Sequence, residues 1–539
     1  MSDTTGQIFR TPRVSGALTR AGIAVFALAL AFGADACRTN ADNIQHWATT
    51  VQGPKKLIAV LTHDKYPIDL RVEAALALIR MKPRNGRRIG IDGSDDQPGL
   101  IASLTQMAPA TRTQIVSRLV PALEAEILKP PPVAQAGQAT PSDPSVPYKD
   151  AAFALLTTDG GRLLNDPALR QRVRAAISRW ISQGFAQRFD DSSQTYAVKQ
   201  MVGELKSDAV KALPGLIQPD APKIDALSDL IADYGDPTTK QAASERLVTV
   251  ASDVDSPAWI NRKSPGVEAA NKASKLAPTP DQFKAQMAQY QQEELLRVFA
   301  SMKRVGGAPT VSWLLKIAED KTQDPKNRAG ALAALQGNLD PKSASQADAV
   351  LAVAGAPDTP DEVRDVALQR AGEFPRAAVI ERLYGLFASP SWKVRWVAAE
   401  LVLKMSDTSQ LPEFMERIGK AEGMAITEPM RYGSLIAQMK GSAPPVKVIE
   451  PYLGTSHPVP ARLTALGYYY EKGTKSDIGK LSHLEGDREK TPTCAKDADG
   501  CEWKCEVESE GKRETKDIAT VGEFFTYCIK PAMEKRTTP

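Results

Sequence analysis

The sequence predicts an all-α fold of stacked antiparallel helix pairs, followed by a small cysteine-rich cap made of a hairpin and a helix. Three observations carry that expectation. Aromatic residues make up only 6% of the chain while alanine-rich runs recur along it, a mixture that favours closely packed helices over an extensive sheet. An arginine returns at a helix-pair spacing. After residue 486 that spacing stops, and four of the five cysteines gather there.

At 539 residues the chain exceeds what one compact core supports, so several domains or one long repeat array are the economical architectures. Arg297, Arg328, Arg364, Arg395, Arg431 and Arg462 lie 31, 36, 31, 36 and 31 residues apart. Alanine follows three residues later as Ala300, Ala331, Ala367, Ala398 and Ala465, with Ser434 in the remaining place. Upstream, 70-LRVEAALALIRM-81 aligns without a gap with 394-VRWVAAELVLKM-405 and adds Arg71 to the set. In the second of these segments Val394, Val397, Ala398 and Leu401 fall at i, i+3, i+4 and i+7. That spacing makes one apolar helical face, with alanine where a neighbouring helix comes close. Each arginine is expected at the start of the second helix of a pair, after a breaker-rich turn such as Ser389–Pro390 or Asp324–Pro325. One pair cannot bury its apolar face alone, whereas stacked pairs share a continuous core.

These residues resemble the HEAT-repeat family, whose second helix commonly opens with a hydrophobic residue and arginine and continues through small residues, as in Val363–Arg364 and Val394–Arg395. The resemblance covers 297–470 and 54–82 best. It implies a HEAT-like α-solenoid over 37–486 that serves as a binding surface, and it implies no reaction. In that family the arginine often pairs with an acid from a nearby turn, a part that Asp324 and Asp361 would take here; the turn before Arg395 has no acid. The stretch 129–147, rich in proline and small residues, reads as an exposed, semi-extended insert, and 82–98 and 253–280 read as longer loops.

The N-terminus looks like a processing signal. Arg10, Arg13 and Arg20 precede an uncharged apolar run of 14 residues from Ala21 to Ala34, shorter than the roughly 20 residues that a spanning helix needs. Ala34, Asp35 and Ala36 then form an A-x-A site ahead of Cys37, which places a signal peptide at 1–36. The same residues resemble the lipobox of bacterial lipoproteins, in which the cysteine takes a diacylglycerol on sulfur and becomes the mature N-terminus; Asp35 departs from the usual small neutral residue. Cys37 is therefore the expected lipidation site. Cysteine parity agrees, because lipidation leaves Cys494, Cys501, Cys505 and Cys528 to pair completely in an oxidising envelope compartment. The alternatives are an uncleaved anchor and a cut, unlipidated protein.

In 487–539 the pattern changes to alternation in 501-CEWKCEV-507, a turn at Ser509–Gly511 and a short helix over 521–533 carrying Cys528. A disulfide-stapled cap for the end of the array is expected. Four cysteines allow more than one pairing; Cys494–Cys501 with Cys505–Cys528 is the one preferred. Zinc is disfavoured because the gaps of six, three and 22 residues do not repeat a short two-to-four-residue spacing.

Lys and Arg number 68 against 64 Asp and Glu, a net charge of +4 that points to no nucleic-acid partner. The four histidines are scattered, and no nucleophile elbow, phosphate loop or dinucleotide fingerprint is present. No catalytic residue, metal or cofactor is expected. Trp392 and Trp396, interleaved with Lys393 and Arg395, are candidate protein-binding residues, since Trp and Arg anchor interfaces. The leading expectation is a non-enzymatic envelope lipoprotein, anchored in a bacterial membrane, whose repeats hold a protein partner. The alternatives are a lyase-type enzyme or accessory with a small-molecule groove, and a purely structural spacer.

Overall fold

A computed structural model describes residues 39–83, 87–132, 141–492, 501–509 and 512–536. The expected signal segment 1–36, Cys37, Cys494 and the middle of the 129–147 insert lie outside the described residues. The chain divides into two compact units, Met1–Ala209 and Val210–Pro539, a division that the arginine spacing does not announce.

The principal helices of the first unit are α1 (Gly53–Thr62), α2 (Ile68–Arg80), α3 (Pro109–Ile127), α4 (Val146–Thr157) and α5 (Pro167–Gln183). Helix α2 packs against α1, α3 and α4, and α3 against α4 and α5. Helix α4 is central: Val146 and every residue from Tyr148 to Leu156 are buried, Lys149 and Asp150 included. Its start corrects the expected insert. Asp143 and Ser145 are buried, and the Asp143 carboxylate accepts from the Ser145 backbone N–H at 2.9 Å. The prolines at 144 and 147 thus serve helix entry, where a fixed φ and a missing N–H cost nothing. The interval 82–98 is also more ordered than expected, holding a short helix, Ile89–Asp92, and the hairpin β1 (Gly93–Ser94) with β2 (Gln97–Pro98). Gly93 is required there: its φ is +87°, and a Cβ would lie 2.5 Å from the Gln97 carbonyl oxygen.

The second unit contains α6 (Ile224–Tyr234), α7 (Pro237–Val254), α8 (Pro257–Ala273), α9 (Pro280–Val305), α10 (Ala308–Glu319), α11 (Pro325–Ala334), α12 (Ala344–Gly355), α13 (Asp361–Ala371), α14 (Arg376–Gly385), α15 (Trp392–Lys404), α16 (Leu411–Ile418), α17 (Thr427–Ile436) and α18 (Val459–Lys472). Helix starts follow from local chemistry. The side chains of Asp236, Ser256, Thr279 and Asp324 each accept a backbone N–H of the first turn, and a proline follows each one. Residues 253–280, expected as loop, mostly form α8, a helix that buries only Trp259 and Asn271.

From α10 onward the helices pair as α10–α11, α12–α13 and α14–α15 and stack in two layers. First helices touch in the order α10, α12, α14; second helices touch in the order α11, α13, α15, α17, α18. Ala331, Ala367, Ala398 and Ala465 are completely buried, as close stacking requires. Each compact unit is helical, and the repeat core of the second is a HEAT-like α-solenoid.

Two arginines of the period depart from it. Arg297 lies deep inside α9, which runs 26 residues from Pro280, and Arg431 lies in the second turn of α17; both are exposed. At these two repeats the inward face is displaced by one residue, so Val298 and Phe299, or Tyr432 and Gly433, are buried instead. Ala300 is exposed and Ser434 only half-buried for the same reason. In α15 the buried set is Val394, Arg395, Ala398, Ala399, Val402 and Leu403, while Val397 and Leu401 sit at its border.

The cap is a hairpin of β3 (Lys504–Ser509) and β4 (Lys512–Asp517), followed by helical segments from Val521 to Glu534. Cys505 and Cys528 form a disulfide that ties β3 to the helix, and Cys501 is also disulfide-bonded. Trp503 anchors the cap onto the repeats by donating from Nε1 to the Met424 carbonyl at 2.6 Å.

Candidate protein-binding site

The recurring arginines hold the turns that shape the repeat surface. Arg71, Arg328 and Arg364 each donate Nε to a carbonyl ten residues earlier: Leu61 at 2.7 Å, Ala318 at 2.9 Å and Ala354 at 3.2 Å. These carbonyls lie at the C-terminal ends of α1, α10 and α12, where the last turn lacks intrahelical donors and carries partial negative charge. A permanently charged, multi-donor guanidinium meets both needs at once, which explains arginine rather than lysine. Arg364 also reaches Asp361 at 2.8 Å. Asp324 does not pair with Arg328; it caps α11 through the Lys326 N–H at 2.8 Å. Arg395, whose turn lacks an acid, donates to the Ser389 carbonyl at 2.7 Å and to Glu428 of the next repeat at 3.2 Å. Arg462 closes the series on Glu489 at 2.7 Å and on Asp487.

Glu428 is fully buried and also accepts from the Ala425 N–H at 2.6 Å and the Tyr432 hydroxyl at 3.0 Å. Burial outweighs the pull of Arg395 and raises its carboxyl above the ordinary glutamate range. A raised acid favours the protonated native form, so the linked stability is fully present below the unfolded pKa, about 4.5, and is lost as pH rises through the folded value. Urea unfolding of the wild type and Glu428→Gln should therefore show the wild type losing ground to the variant as pH rises from about 4.5 to 8. An opposite trend would refute the assignment.

Trp392 and Trp396 stack on the second-helix layer with ring centroids 6.0 Å apart and planes at 29°. Both rings are half-buried. At 3.6 residues per turn Trp392, Lys393, Trp396, Glu400 and Lys404 share one face of α15. Charge pairs flank the rings and bridge neighbouring repeats: Lys393 to Asp361 at 2.8 Å and Arg431 to Glu400 at 3.1 Å, with Lys404 also on Glu400 at 2.7 Å. Exposed Arg431 thus serves this surface rather than a turn. The Trp396 Nε1 is a buried donor with no acceptor among the described residues, which costs stability. Arg297 pairs with Glu294 at 2.6 Å and Asp225 at 3.4 Å, away from these rings in sequence and role.

A buried polar network in the first unit has no signature in the sequence. Lys149 donates to Asp150 at 2.6 Å, Gln194 at 3.2 Å and the Tyr196 carbonyl at 2.7 Å. Arg88 pairs with Asp150 at 3.2 Å, and Arg188 with Asp143 at 2.8 Å. The Trp180 ring lies under both cations, 4.9 Å from the Lys149 amine and 4.3 Å from the Arg188 guanidinium. Burial holds Lys149 below the ordinary lysine range. With its donors satisfied and its side chain buried, Lys149 anchors the 189–197 segment and offers no free amine. Lys149 and Tyr196 lie 47 residues apart, and Arg88 is farther still from Asp150 along the chain, so no local spacing exposes them. Among the described residues no cluster of three or more His, Cys, Asp or Glu is arranged to hold a metal ion, and no helix is long and apolar enough to cross a membrane.

The layered helix pairs and their turn-capping arginines define an α-helical repeat protein. No protein-family model matches the chain, and no curated protein does. Among solved structures it is similar to the crystal structures of Kap121p and of a triple mutant of that protein, each at 12% identity with a TM-score of 0.27. Those matches cover 86% of this chain and 46% of the other, so the chain spans less than half the length of the structures it matches.

Proposed function

We propose that this protein is a non-enzymatic scaffold that binds a protein partner over the Trp392–Trp396 face of its second-helix layer and is held at a bacterial envelope membrane through a lipid on Cys37. The stacked, half-exposed tryptophan pair carries the reading. Large rigid aromatics bordered by charge supply contact area at low entropic cost, and such residues dominate interface energetics. The membrane half of the reading rests on Ala34–Asp35–Ala36–Cys37 and on the cysteine parity.

Affinity purification from membranes tests the first half. Trp392→Ala and Trp396→Ala should each weaken capture of the co-purifying protein by about 30-fold, the equivalent of a hot-spot loss of about 2 kcal/mol. Trp396→Phe should stabilise the free protein, because it deletes a buried unmet donor, while still weakening capture. Undiminished capture by all three variants, with helix content retained, moves the site elsewhere. Intact mass tests the second half: a mature chain starting at Cys37 with added acyl mass is expected, and a start at Met1 or an unmodified Cys37 overturns it.

A further inference from the structure

The first turn of the first unit gathers an apolar tip and two cations close along the chain to Cys37. The short helix Ala41–Trp47 ends in a tight turn ahead of α1. In that turn the Thr50 N–H donates to the Trp47 carbonyl at 3.1 Å and the Gly53 N–H to the Thr50 carbonyl at 3.2 Å. Gly53 is buried so closely that a Cβ there would lie 1.8 Å from the Trp47 carbonyl oxygen, and main chain against main chain holds the turn in place. Val51, within it, is 76% exposed, the most exposed large apolar side chain among the described residues. Trp47 is half-buried, and the Lys56 amine stands 5.3 Å from its ring centroid. Lys55 and Lys56 are both exposed. No aspartate or glutamate occurs from Asn43 to His63. Asp42 lies in the first turn, at the far end of the helix, and Glu73, which bonds Gln45, is also paired with Arg80 at 3.0 Å.

We propose that this turn is a membrane-contact surface: Val51 and the Trp47 ring enter the headgroup region of an anionic bilayer, and Lys55 and Lys56 bind its phosphates. The proposal rests on the reading of Cys37 as the lipid-bearing mature N-terminus, because that reading brings a bilayer to the turn. With 1–36 removed, only Cys37 and Arg38 separate the lipid from the described chain. Cys37 then lies at most about 7 Å from Thr39, and the seven-residue helix Ala41–Trp47 is about 10 Å long. Even with the remaining links extended, the lipid keeps the turn within about 40 Å of the bilayer. Tethering over such a distance supplies an effective concentration of about millimolar, so a contact too weak to recruit a free protein is occupied in an anchored one. The side-chain chemistry suits lipid. Tryptophan favours the membrane interface, and lysine stems lie along apolar surface while their amines reach the phosphates. An amine is a point charge that needs no fixed fork of acceptors, which fits mobile lipid phosphates better than a guanidinium does. Each lysine near an anionic surface strengthens binding about fivefold.

The test supplies the tether without the native lipid. A chain in which a hexahistidine tag replaces residues 1–37 is held on vesicles by a nickel-chelating lipid, with an environment-sensitive fluorophore on Gln52→Cys, an exposed position next to Val51. With phosphatidylglycerol in phosphatidylcholine vesicles, the emission should shift to the blue and be quenched by spin-labelled lipid. Lys55→Gln combined with Lys56→Gln should weaken the contact about 25-fold, and Val51→Asp at least about 10-fold. The same fluorophore on Thr113→Cys, an exposed position of α3, should not shift. No shift at Gln52 on anionic vesicles, an equal shift at Thr113, or a shift without vesicles, which would make a second copy the occupant, overturns the proposal. Unchanged circular dichroism separates loss of contact from loss of fold. A shift in the tethered chain together with an unlipidated Cys37 in the native protein supports the surface and overturns the anchor alone.

Discussion

Asp150→Ala should lower the stability of the first unit by about 3–5 kcal/mol, the cost of stranding buried charge. The carboxylate takes the Lys149 amine at 2.6 Å, the Arg88 guanidinium at 3.2 Å, and the backbone N–H groups of Thr195 and Tyr196 at 3.0 and 3.3 Å. Alanine supplies none of these acceptors, and both cations are buried. Lys149 already sits below the ordinary lysine range because of burial, and losing Asp150 removes the strongest attraction holding its proton in place. A lowered lysine makes the native state bind fewer protons than the unfolded chain, so its stability rises with pH through the folded value. The deficit of Asp150→Ala should therefore narrow as pH climbs towards about 10, the ordinary lysine value. Chemical denaturation at two pH values measures this, and limited proteolysis should give first cuts in 189–197. A deficit below about 1 kcal/mol would mean that the network is not what holds that segment.

Gly467→Ala and Gly433→Ala should be the most damaging small changes in the second unit. Helices α17 and α18 cross with backbone against backbone: a Cβ at Gly467 would lie 1.8 Å from the Pro429 carbonyl oxygen, and one at Gly433 1.9 Å from the Gly467 carbonyl carbon. Overpacking usually costs about 1–3 kcal/mol when side chains can give way. Here the obstacle is main chain, so the helices must separate along their contact and each variant should cost about 3 kcal/mol or more. Gly385→Ala is the control with the opposite sign. Gly385 has helical φ and ψ of −60° and −31°, and a methyl added there would meet nothing within 4 Å. Alanine at that position should stabilise by about 0.4–1 kcal/mol through the unfolded state. Thermal unfolding of the three variants decides the matter; equal effects of Gly467→Ala and Gly385→Ala would sink the close-crossing account.

The helix pairs were legible because their cause is local and repeated. Val363–Arg364 and Val394–Arg395 recur with buried alanines behind them because a second helix must bring both a small face and a turn-capping cation to the same place in every repeat. Even the Tyr468–Tyr470 run follows helical spacing, with Tyr469 buried between half-buried neighbours. The same logic misled at Arg297 and Arg431. Their period is right, but a one-residue rotation of the helix face sends them outward, and a 31- or 36-residue spacing cannot register a turn of about 100°. Prolines misled in a related way: those at 257, 265 and 280 suggested loop, yet two of them open helices and Pro265 lies inside one.

By itself, then, the amino-acid order determined the class of fold, the layer that carries Trp392 and Trp396 and the cysteine-rich cap, while the folded cap selected the Cys505–Cys528 bridge from the pairings that four cysteines allow. These depend on periodicity, on residue size and on residues close along the chain. Tertiary structure alone decided that Glu428 answers Arg395 from 33 residues away, that Lys149, Asp150 and Arg88 share one buried site, and that Gly433 meets Gly467. The physical reason is the same in each case. A buried charge or a bare glycine has no preferred partner until packing removes water and neighbouring helices set the distance, and that distance is a property of the folded array rather than of any segment.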